Sequence, residues 1–465
     1  MAEQHFTVVF LGGGSAGYVG AIRAAQLGMS VAVVERDKLG GTCLHRGCIP
    51  SKAYLEAAHL YTEMQHADAF GLSAGEIGYD FGKIQQYREK VVTENWKGVQ
   101  FLMKKNKITV LLGEGTISAP GQLQVVGAEG TQAITTDNLV LCTGTSPRTL
   151  GIKVDGQRVF TSDNVWEASD MPKSVIILGG GVIGCEFASY YRAFGVEVTI
   201  VEMLGGLIPM MDADLGKELA RQFSKRGIKL MTDTKADPAS VKSGDDGVEL
   251  TVEANGKQET LKADYLLLAA AREPTPILGV ESLGLETERG YPTIGDNQRT
   301  SLPNVYAAGD IAGGLMLAHK AYADGILAAE SIAGKNQLKN IDMNRVPQPV
   351  FSFPQVAAVG VTEQQARDSG AEVQVGKFPY TANAKAKILN DAVGFVKVVA
   401  DKRTGDILGV HMIGPSVTEN ISEAGLAKFL ESTPWELAYT IHPHPTLSEA
   451  IGEAAHAVEG TPLHM

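Results

Sequence analysis

One plan occurs twice in the chain, and it limits what the chain can fold into more than any other feature. Residues 6–11 read as a short apolar strand, followed by the loop Gly12-Gly13-Gly14-Ser15-Ala16-Gly17, a helical stretch over 18–27 and a second strand over 30–34 that ends at Glu35. Residues 174–178, the loop Gly179-Gly180-Gly181-Val182-Ile183-Gly184, the helical stretch 185–194 and the strand 196–201 ending at Glu202 repeat it. In both copies the first glycine and the closing glutamate stand 23 positions apart. A strand, a glycine-rich turn and a helix that returns to a parallel strand describe a dinucleotide-binding unit.

The spacing has a physical reason. The first glycine allows the tight turn, the second lets backbone approach a pyrophosphate, and the third lets the helix pack on the strand. The helix N-terminus then faces the phosphate charge. A glutamate at the end of the second strand can accept hydrogen bonds from a ribose diol, whereas an adenosine 2'-phosphate would meet like charge. One such loop is weak evidence, since a glycine-rich turn can stand without a ligand. Two copies with matching acids point to two cofactors, each without the extra phosphate.

Between and after the copies, 108–112, 139–141 and 265–270 read as strands that complete each unit. Thr143 and Gly144 form a sharp exit after the second of these, and Arg272 follows the third. The run 304–310 reads as a strand ending in Gly309-Asp310, where a carboxylate can meet another part of a large cofactor or cap a turn. From about residue 343 the texture changes. Strands over 356–361, 393–400 and 407–413 and helices over 419–430 and 434–438 describe an α+β unit with no nucleotide loop. The expected boundaries are 1–145, 146–272, 273–342 and 343–465.

A chain of 465 residues exceeds one ordinary core, so several domains are expected. The formal charge of -12 argues against nucleic acid or an anionic membrane as the main partner. The N-terminus lacks a basic region and its first apolar run is only 6–11, a core strand rather than a signal peptide. No run reaches the length of a membrane span, so no membrane insertion is expected and the chain reads as cytoplasmic.

Four cysteines do not make a disulfide scaffold. Cys142 and Cys185 lie in apolar runs and are expected to be buried and unreactive. Cys43 and Cys48 are different, because they follow the first nucleotide unit at once. On an undistorted helix they would stand about 7.5 Å apart along the axis and about 140° apart in rotation, which cannot close a disulfide. A loop or distorted turn near Gly47 must bring them together, with helix resuming near Cys48, where its N-terminus favours a thiolate. The alternatives are two structural cysteines or half of a zinc site. No second cysteine pair supports zinc, and no metal site is expected. A thiol pair beside a nucleotide loop reads best as a redox centre.

Thiol–disulfide exchange also needs a proton carrier. The segment His442-Pro443-His444-Pro445-Thr446-Leu447-Ser448-Glu449 supplies a candidate. Prolines flank His444 and restrict its backbone, and Glu449 can hold its other ring nitrogen. The same residues in a loop are structural more often than catalytic.

Together these motifs resemble the flavin-dependent pyridine nucleotide-disulfide oxidoreductases, and within them the lipoamide group, from Gly12 through Glu449. The resemblance implies an α/β fold of two Rossmann-like domains, for FAD and NAD, and a C-terminal α+β dimerisation domain. It implies that Gly12, Gly14, Gly17, Glu35, Thr143, Gly144 and Asp310 serve FAD, with Met316, Leu317, Ala318 and His319 running under the flavin ring. Lys52 resembles the lysine near flavin N5 and Glu186 the glutamate that pairs with it. Gly179, Gly181, Gly184, Glu202 and Arg272 belong to the second nucleotide region. Cys43 and Cys48 are implied as the redox disulfide, with His444 and Glu449 serving the disulfide of the partner in a homodimer.

The implied activity is oxidation of protein-bound dihydrolipoyl groups with reduction of NAD+. The implied partners are lipoyl carrier domains of 2-oxo acid dehydrogenase complexes or of the glycine cleavage system. Glutathione-type reductases usually carry basic residues near the second acid, and Glu202-Met203-Leu204 has none. Mercuric reductases add a C-terminal cysteine pair, absent from residues 461–465. The chain departs from the family pattern at His45, Ala271, Glu273 and Cys142. The alternatives are an NAD(P)H-linked reductase of another disulfide and a flavoprotein that serves only as an interaction subunit.

Overall fold

The computed structural model describes residues 4–465. The chain forms two compact units. One comprises residues 1–53, 85–148 and 271–342, the other residues 54–84, 149–270 and 343–465.

In the first unit a seven-stranded sheet runs in the order Thr109–Leu112, Val31–Glu35, Gln4–Leu11, Gly130–Leu141, Gln122–Gly127, Glu114–Ala119, with Val305–Ala307 also pairing Gly130–Leu141. The first four strands and Val305–Ala307 pair in parallel. Strand residues alternate between faces, and here both faces are buried. Val8, Phe10, Val31, Val33 and Val140 pack under helices Ser15–Gln26 and Ala318–Ile332. Val9, Leu11, Val34, Leu139 and Leu141 pack against Ile117, Leu123 and Val125 of the antiparallel strands. This two-sided burial is why the parallel strands read as unbroken apolar runs. The register sets Leu11 beside Val34 and Leu141, and Leu141 beside Ala307. The chain therefore leaves every parallel strand at one edge of the sheet, the position from which such sheets bind ligands.

The second unit repeats the plan. Lys229–Met231, Glu197–Val201, Ser174–Leu178, Tyr265–Leu268 and Val159–Thr161 form a parallel sheet in that order. Val175 and Ile177 pack with the helices, while Ile176 and Leu178 pack against Val248, Leu250 and Val252 of an antiparallel sheet. A further five-stranded antiparallel sheet holds residues 348–414 and carries helices Val417–Phe429 and Glu449–Val458.

Most expected elements are present. The helices after both glycine loops begin earlier than expected, at Ser15 and Val182, because Gly14 and Gly181 are themselves the N-caps. The antiparallel strands 114–127 and 234–263 and the helix Phe81–Lys105 were not anticipated.

A buried charge cluster ties the second unit together. Lys397 Nζ lies 2.9 Å from Asp212, 3.1 Å from Asp214 and 2.8 Å from Glu363, with its side chain 3% exposed. Burial opposes the ammonium charge, but Glu363 and Asp212 outweigh it and raise the Lys397 pKa. Removing one member of a buried ion set leaves the others uncompensated. Lys397→Ala is expected to cost about 3 kcal/mol or more of stability, read as a lower urea midpoint at unchanged slope. His411, opposite Lys397 across the sheet, is kept neutral by burial. As pH falls below about 6.5 the unfolded chain therefore takes up a proton that the folded chain resists, and stability declines. Urea midpoints at neutral and mildly acid pH check this sign.

Candidate active site

Gly12 follows strand Gln4–Leu11 with φ of 110°, and a Cβ there would stand 2.3 Å from the Cys142 carbonyl oxygen. A Cβ on Gly17 would stand 1.8 Å from the Gly12 oxygen, whereas Gly14 faces open space apart from Gly41 Cα at 3.9 Å. Turn and helix–strand contact thus both demand glycine, and the middle position leaves the backbone approachable. The second loop repeats this. A Cβ on Gly184 would meet the Gly179 oxygen at 1.9 Å, and nothing lies within 4 Å of one on Gly181.

The two glutamates hold their own loops, which sequence reading did not foresee. Glu35 accepts the Gly13 N–H at 2.8 Å with one oxygen and the Asp37 N–H at 2.8 Å with the other. Glu202 accepts the Gly180 N–H at 2.6 Å and the Leu204 N–H at 2.8 Å. These backbone donors fix each carboxylate and leave lone pairs for a ribose diol.

At the same sheet edge, Thr143 Oγ1 is buried without a hydrogen-bond partner, a donor held where a ligand oxygen can meet it. Gly144 has φ of 69° and open space beyond its Cα. Arg272 donates to the Thr145 hydroxyl at 2.9 Å and to its carbonyl at 2.8 Å, and Thr145 donates to Asp310 at 3.1 Å. Burial raises the Asp310 pKa. Leu317 precedes helix Ala318–Ile332 without a side-chain cap. The open glycine backbone, orphan hydroxyl and fixed carboxylates fit a flavin dinucleotide in the first unit and a nicotinamide dinucleotide in the second.

Sequence reading missed the support beneath Asp310. Lys320 and Asp324 form an ion pair of 2.7 Å, with side chains 1% and 0% exposed. Asp324 also accepts the Gly309 N–H at 3.0 Å and the Gln298 amide at 3.0 Å, and Lys320 donates to the Gly313 carbonyl at 3.0 Å. These bonds clamp the turn that presents Asp310. The only sequence signal is a lysine and an aspartate four apart on a helix.

Cys43 lies in the short helix Gly41–His45, and Cys48 opens the long helix Cys48–Gln65. The break falls at Arg46 and Gly47, where a Cβ on Gly47 would be 3.1 Å from the Thr42 oxygen. Both cysteines are thiols in the structure. Their side chains are hydrogen-bonded, which, with burial, pushes the Cys43 thiol pKa up, while Ser15 and Lys52 pull it down. Cys142 and Cys185 are buried, and burial raises their thiol pKa values. Among the described residues no group of three or more His, Cys, Asp or Glu is placed to hold a metal ion. No helix among them is long and apolar enough to cross a membrane.

In the second unit Glu186 is buried and accepts the Phe351 N–H at 3.0 Å. His444 Nδ1 stands 2.8 Å from Glu449, whose other oxygen accepts the Thr446 N–H at 2.7 Å. Burial works against the Glu449 charge, but Thr446 and His444 outweigh it and hold this carboxyl below the usual range. Asn383 donates to the Thr446 carbonyl at 3.0 Å and steadies the loop. His444 is 73% exposed in the single chain, so one face of its ring is open. His442, which sequence reading left without a role, pairs with Glu423 at 2.8 Å.

The model of the family described as pyridine nucleotide-disulphide oxidoreductase matches residues 6–325, and that of its dimerisation domain matches residues 346–455. Dihydrolipoyl dehydrogenase of Bacillus subtilis is 45% identical over 470 residues, covering 99% of each chain. Dihydrolipoyl dehydrogenase of Mycobacterium tuberculosis is 44% identical over 466 residues, covering 98% of each. Among solved structures, LpdA from Mycobacterium tuberculosis superposes with a TM-score of 0.89 at 30% identity, covering 97% of this chain and 99% of that one. The HOCl-induced flavoprotein disulfide reductase RclA from Escherichia coli does so with 0.84 at 27% identity, covering 96% and 98%.

Proposed function

The chain belongs to the pyridine nucleotide-disulphide oxidoreductase family, and on that premise we propose that it oxidises protein-bound dihydrolipoyl groups to the lipoyl disulfide and reduces NAD+ to NADH. The observation that carries this reading is one chain holding two dinucleotide loops, a hydrogen-bonded thiol pair and a His–Glu dyad. It is as long as the dihydrolipoyl dehydrogenases it resembles. FAD, when bound, carries the electron pair from the dithiol to NAD+.

The protein's own residues do the rest. His444 takes the proton of the incoming thiol, with Glu449 orienting the ring. The substrate thiolate attacks Cys43, the Cys43–Cys48 bond breaks, and Cys48 leaves as a thiolate at its helix N-terminus. The second substrate sulfur then attacks the first, closing the lipoyl disulfide and releasing Cys43. Substrate is oxidised and the cysteine pair reduced. Gly12, Gly14, Gly17, Glu35, Thr143, Gly144, Asp310 and residues 316–319 hold FAD in this reading. Lys52 and Glu186 set its electrostatics, and Gly179, Gly181, Gly184 and Glu202 hold NAD. Arg272 acts on the flavin side, through Thr145 and Asp310. The functional divisions are 1–145 with 273–342 for FAD, 146–272 for NAD and 343–465 for dimerisation.

The chain forms a homodimer through its dimerisation domain. Its partners in this reading are lipoyl carrier domains of a 2-oxo acid dehydrogenase complex or the glycine cleavage system. Its setting is the cytoplasm, where NAD is available. Assays with dihydrolipoamide, glutathione disulfide and mercuric ion side by side test the substrate. Turnover of glutathione disulfide or mercuric ion with none of dihydrolipoamide would overturn it. Cofactor choice follows from Glu202, because the 2'-phosphate of NADP places like charge against a fixed carboxylate. NAD+ is expected to exceed NADP+ in kcat/KM by about a hundredfold or more. Equal efficiency with both would refute the role of Glu202.

A further inference from the structure

The loop after Glu202 is fastened at both ends. At its near end Glu202 accepts the Leu204 N–H, and Ile208 donates its N–H to the Gly180 carbonyl at 2.8 Å. Leu207 lies so close over the glycine turn that a Cβ on Gly180 would stand 2.9 Å from its Cδ2. The far end is Asp212, which is 2% exposed. Its Oδ1 caps helix Ala213–Lys225 by accepting the Asp214 N–H at 3.1 Å, and also accepts from Lys397 Nζ at 2.9 Å. Its Oδ2 accepts the Glu363 N–H at 3.0 Å. The capped helix presses on the loop, since a Cβ on Gly216 would stand 2.6 Å from the Leu207 carbonyl oxygen. Lys397 lies on strand Phe395–Asp401, and Glu363 opens helix Glu363–Asp368. Its neighbours on the strand, Val396 and Val398, pack with Ile451 and Ala454 of helix Glu449–Val458. Alternation along the strand therefore turns Lys397 away from that helix.

We propose that Asp212, gripped by Lys397 and the Glu363 N–H, is a positioning residue for NAD+. It pins the 203–211 loop so that Gly180 and Glu202 keep the geometry that receives the adenosine ribose. The inference rests on the role of Glu202 given above. Lys397 Nζ stands among three carboxylates, 2.9 Å from Asp212, 3.1 Å from Asp214 and 2.8 Å from Glu363. Without that ammonium the three repel one another in a buried place. Asp212 is the member at the joint of loop and helix. Its displacement moves Leu207 and Ile208, and they move Gly180. The Gly180 N–H is one of the two donors that fix the Glu202 carboxylate. Contiguous packed and hydrogen-bonded chains of this kind carry coupling between separated sites. Asp212 acts through the loop and not on the nucleotide.

The test titrates NAD+ into the oxidised, flavin-loaded protein and reads the dissociation constant by calorimetry. Flavin reduction by dihydrolipoamide, followed by stopped flow without NAD+, is the second readout. Lys397→Met is expected to raise the NAD+ dissociation constant about tenfold, within the range that indirect couplings reach. The defect should be confined to NAD+, with flavin reduction kept. Gly216→Ala should weaken NAD+ binding in the same way by pushing on the Leu207 carbonyl, with the ion cluster untouched. Alanine is the better helix former, so weaker binding there does not reflect a weaker helix. Gly216→Ala carries the test if Lys397→Met fails to fold. Glu202→Ala probes the underlying reading. If it binds NAD+ as tightly as wild type, that reading falls and this inference with it. If it binds weakly, wild-type affinity in either Lys397→Met or Gly216→Ala would overturn the pin alone. Equal losses of NAD+ binding and flavin reduction would overturn it too, since they mark a general loosening.

Discussion

Cys43→Ser is expected to lower dihydrolipoamide-dependent NAD+ reduction by about 10⁴-fold or more, since it removes the sulfur that the substrate attacks in the proposed mechanism. The protein should remain folded. Cys43 sits half-buried in a five-residue helix, where a hydroxyl takes little more or less room than a thiol. The flavin absorbance per chain should therefore be retained, which separates a chemical defect from a structural one. A thiol count after reduction adds a second readout. The wild-type protein should gain two reactive thiols on reduction, and Cys43→Ser should gain none, because Cys48 has lost its disulfide partner. Turnover within tenfold of wild type would mean that the pair is not the redox centre.

Both nucleotide units were legible in the sequence because their constraints are local. A glycine loop, a helix and a closing acid lie within 23 positions, and only backbone geometry relates them. The break between Cys43 and Cys48 was equally legible, since helix geometry forbids a bond at that spacing. The antiparallel strands 114–127 passed unread although Pro120-Gly121 marks their turn and Leu123 and Val125 alternate inward. Short strands with small, polar outer faces give little hydrophobic contrast. The helix Phe81–Lys105 hid for a related reason, as its buried stripe is only Val92, Val99 and Met103 amid charged residues.

The support of the site was illegible in a deeper sense. Lys320 and Asp324 look like a solvent-exposed helical pair, yet both are buried under the Gly309–Asp310 turn. Tyr18 and Tyr322 each read as one more aromatic on an apolar helix. Their rings meet edge to face because two glycines, Gly20 and Gly325, let the helices touch. No spacing rule connects residues 18 and 322, which only the sheet topology brings together. Glu35 and Glu202 show the intermediate case. Their place in the pattern was plain, but the backbone donors that fix their carboxylates required coordinates.

His444→Ala is expected to lower turnover by about 10²- to 10⁴-fold, the usual worth of a positioned acid–base group. Glu449→Gln should lose less, because the Thr446 N–H still holds the side chain while the charge that favours the imidazolium is gone. His444 and Cys43 lie in different compact units of one chain, and His444 is exposed there. In a homodimer the base of one subunit can serve the disulfide of the other. A purified mixed dimer with Cys48→Ser in one chain and His444→Ala in the other decides the matter. With shared sites, the intact Cys48 of the second chain meets the intact His444 of the first, and about half of wild-type activity should remain, as simple site counting requires. With self-contained subunits both sites carry a defect and the hybrid should be as inactive as either parent. Half-activity therefore places the proton carrier across the two-fold axis, and loss of activity places it within each chain.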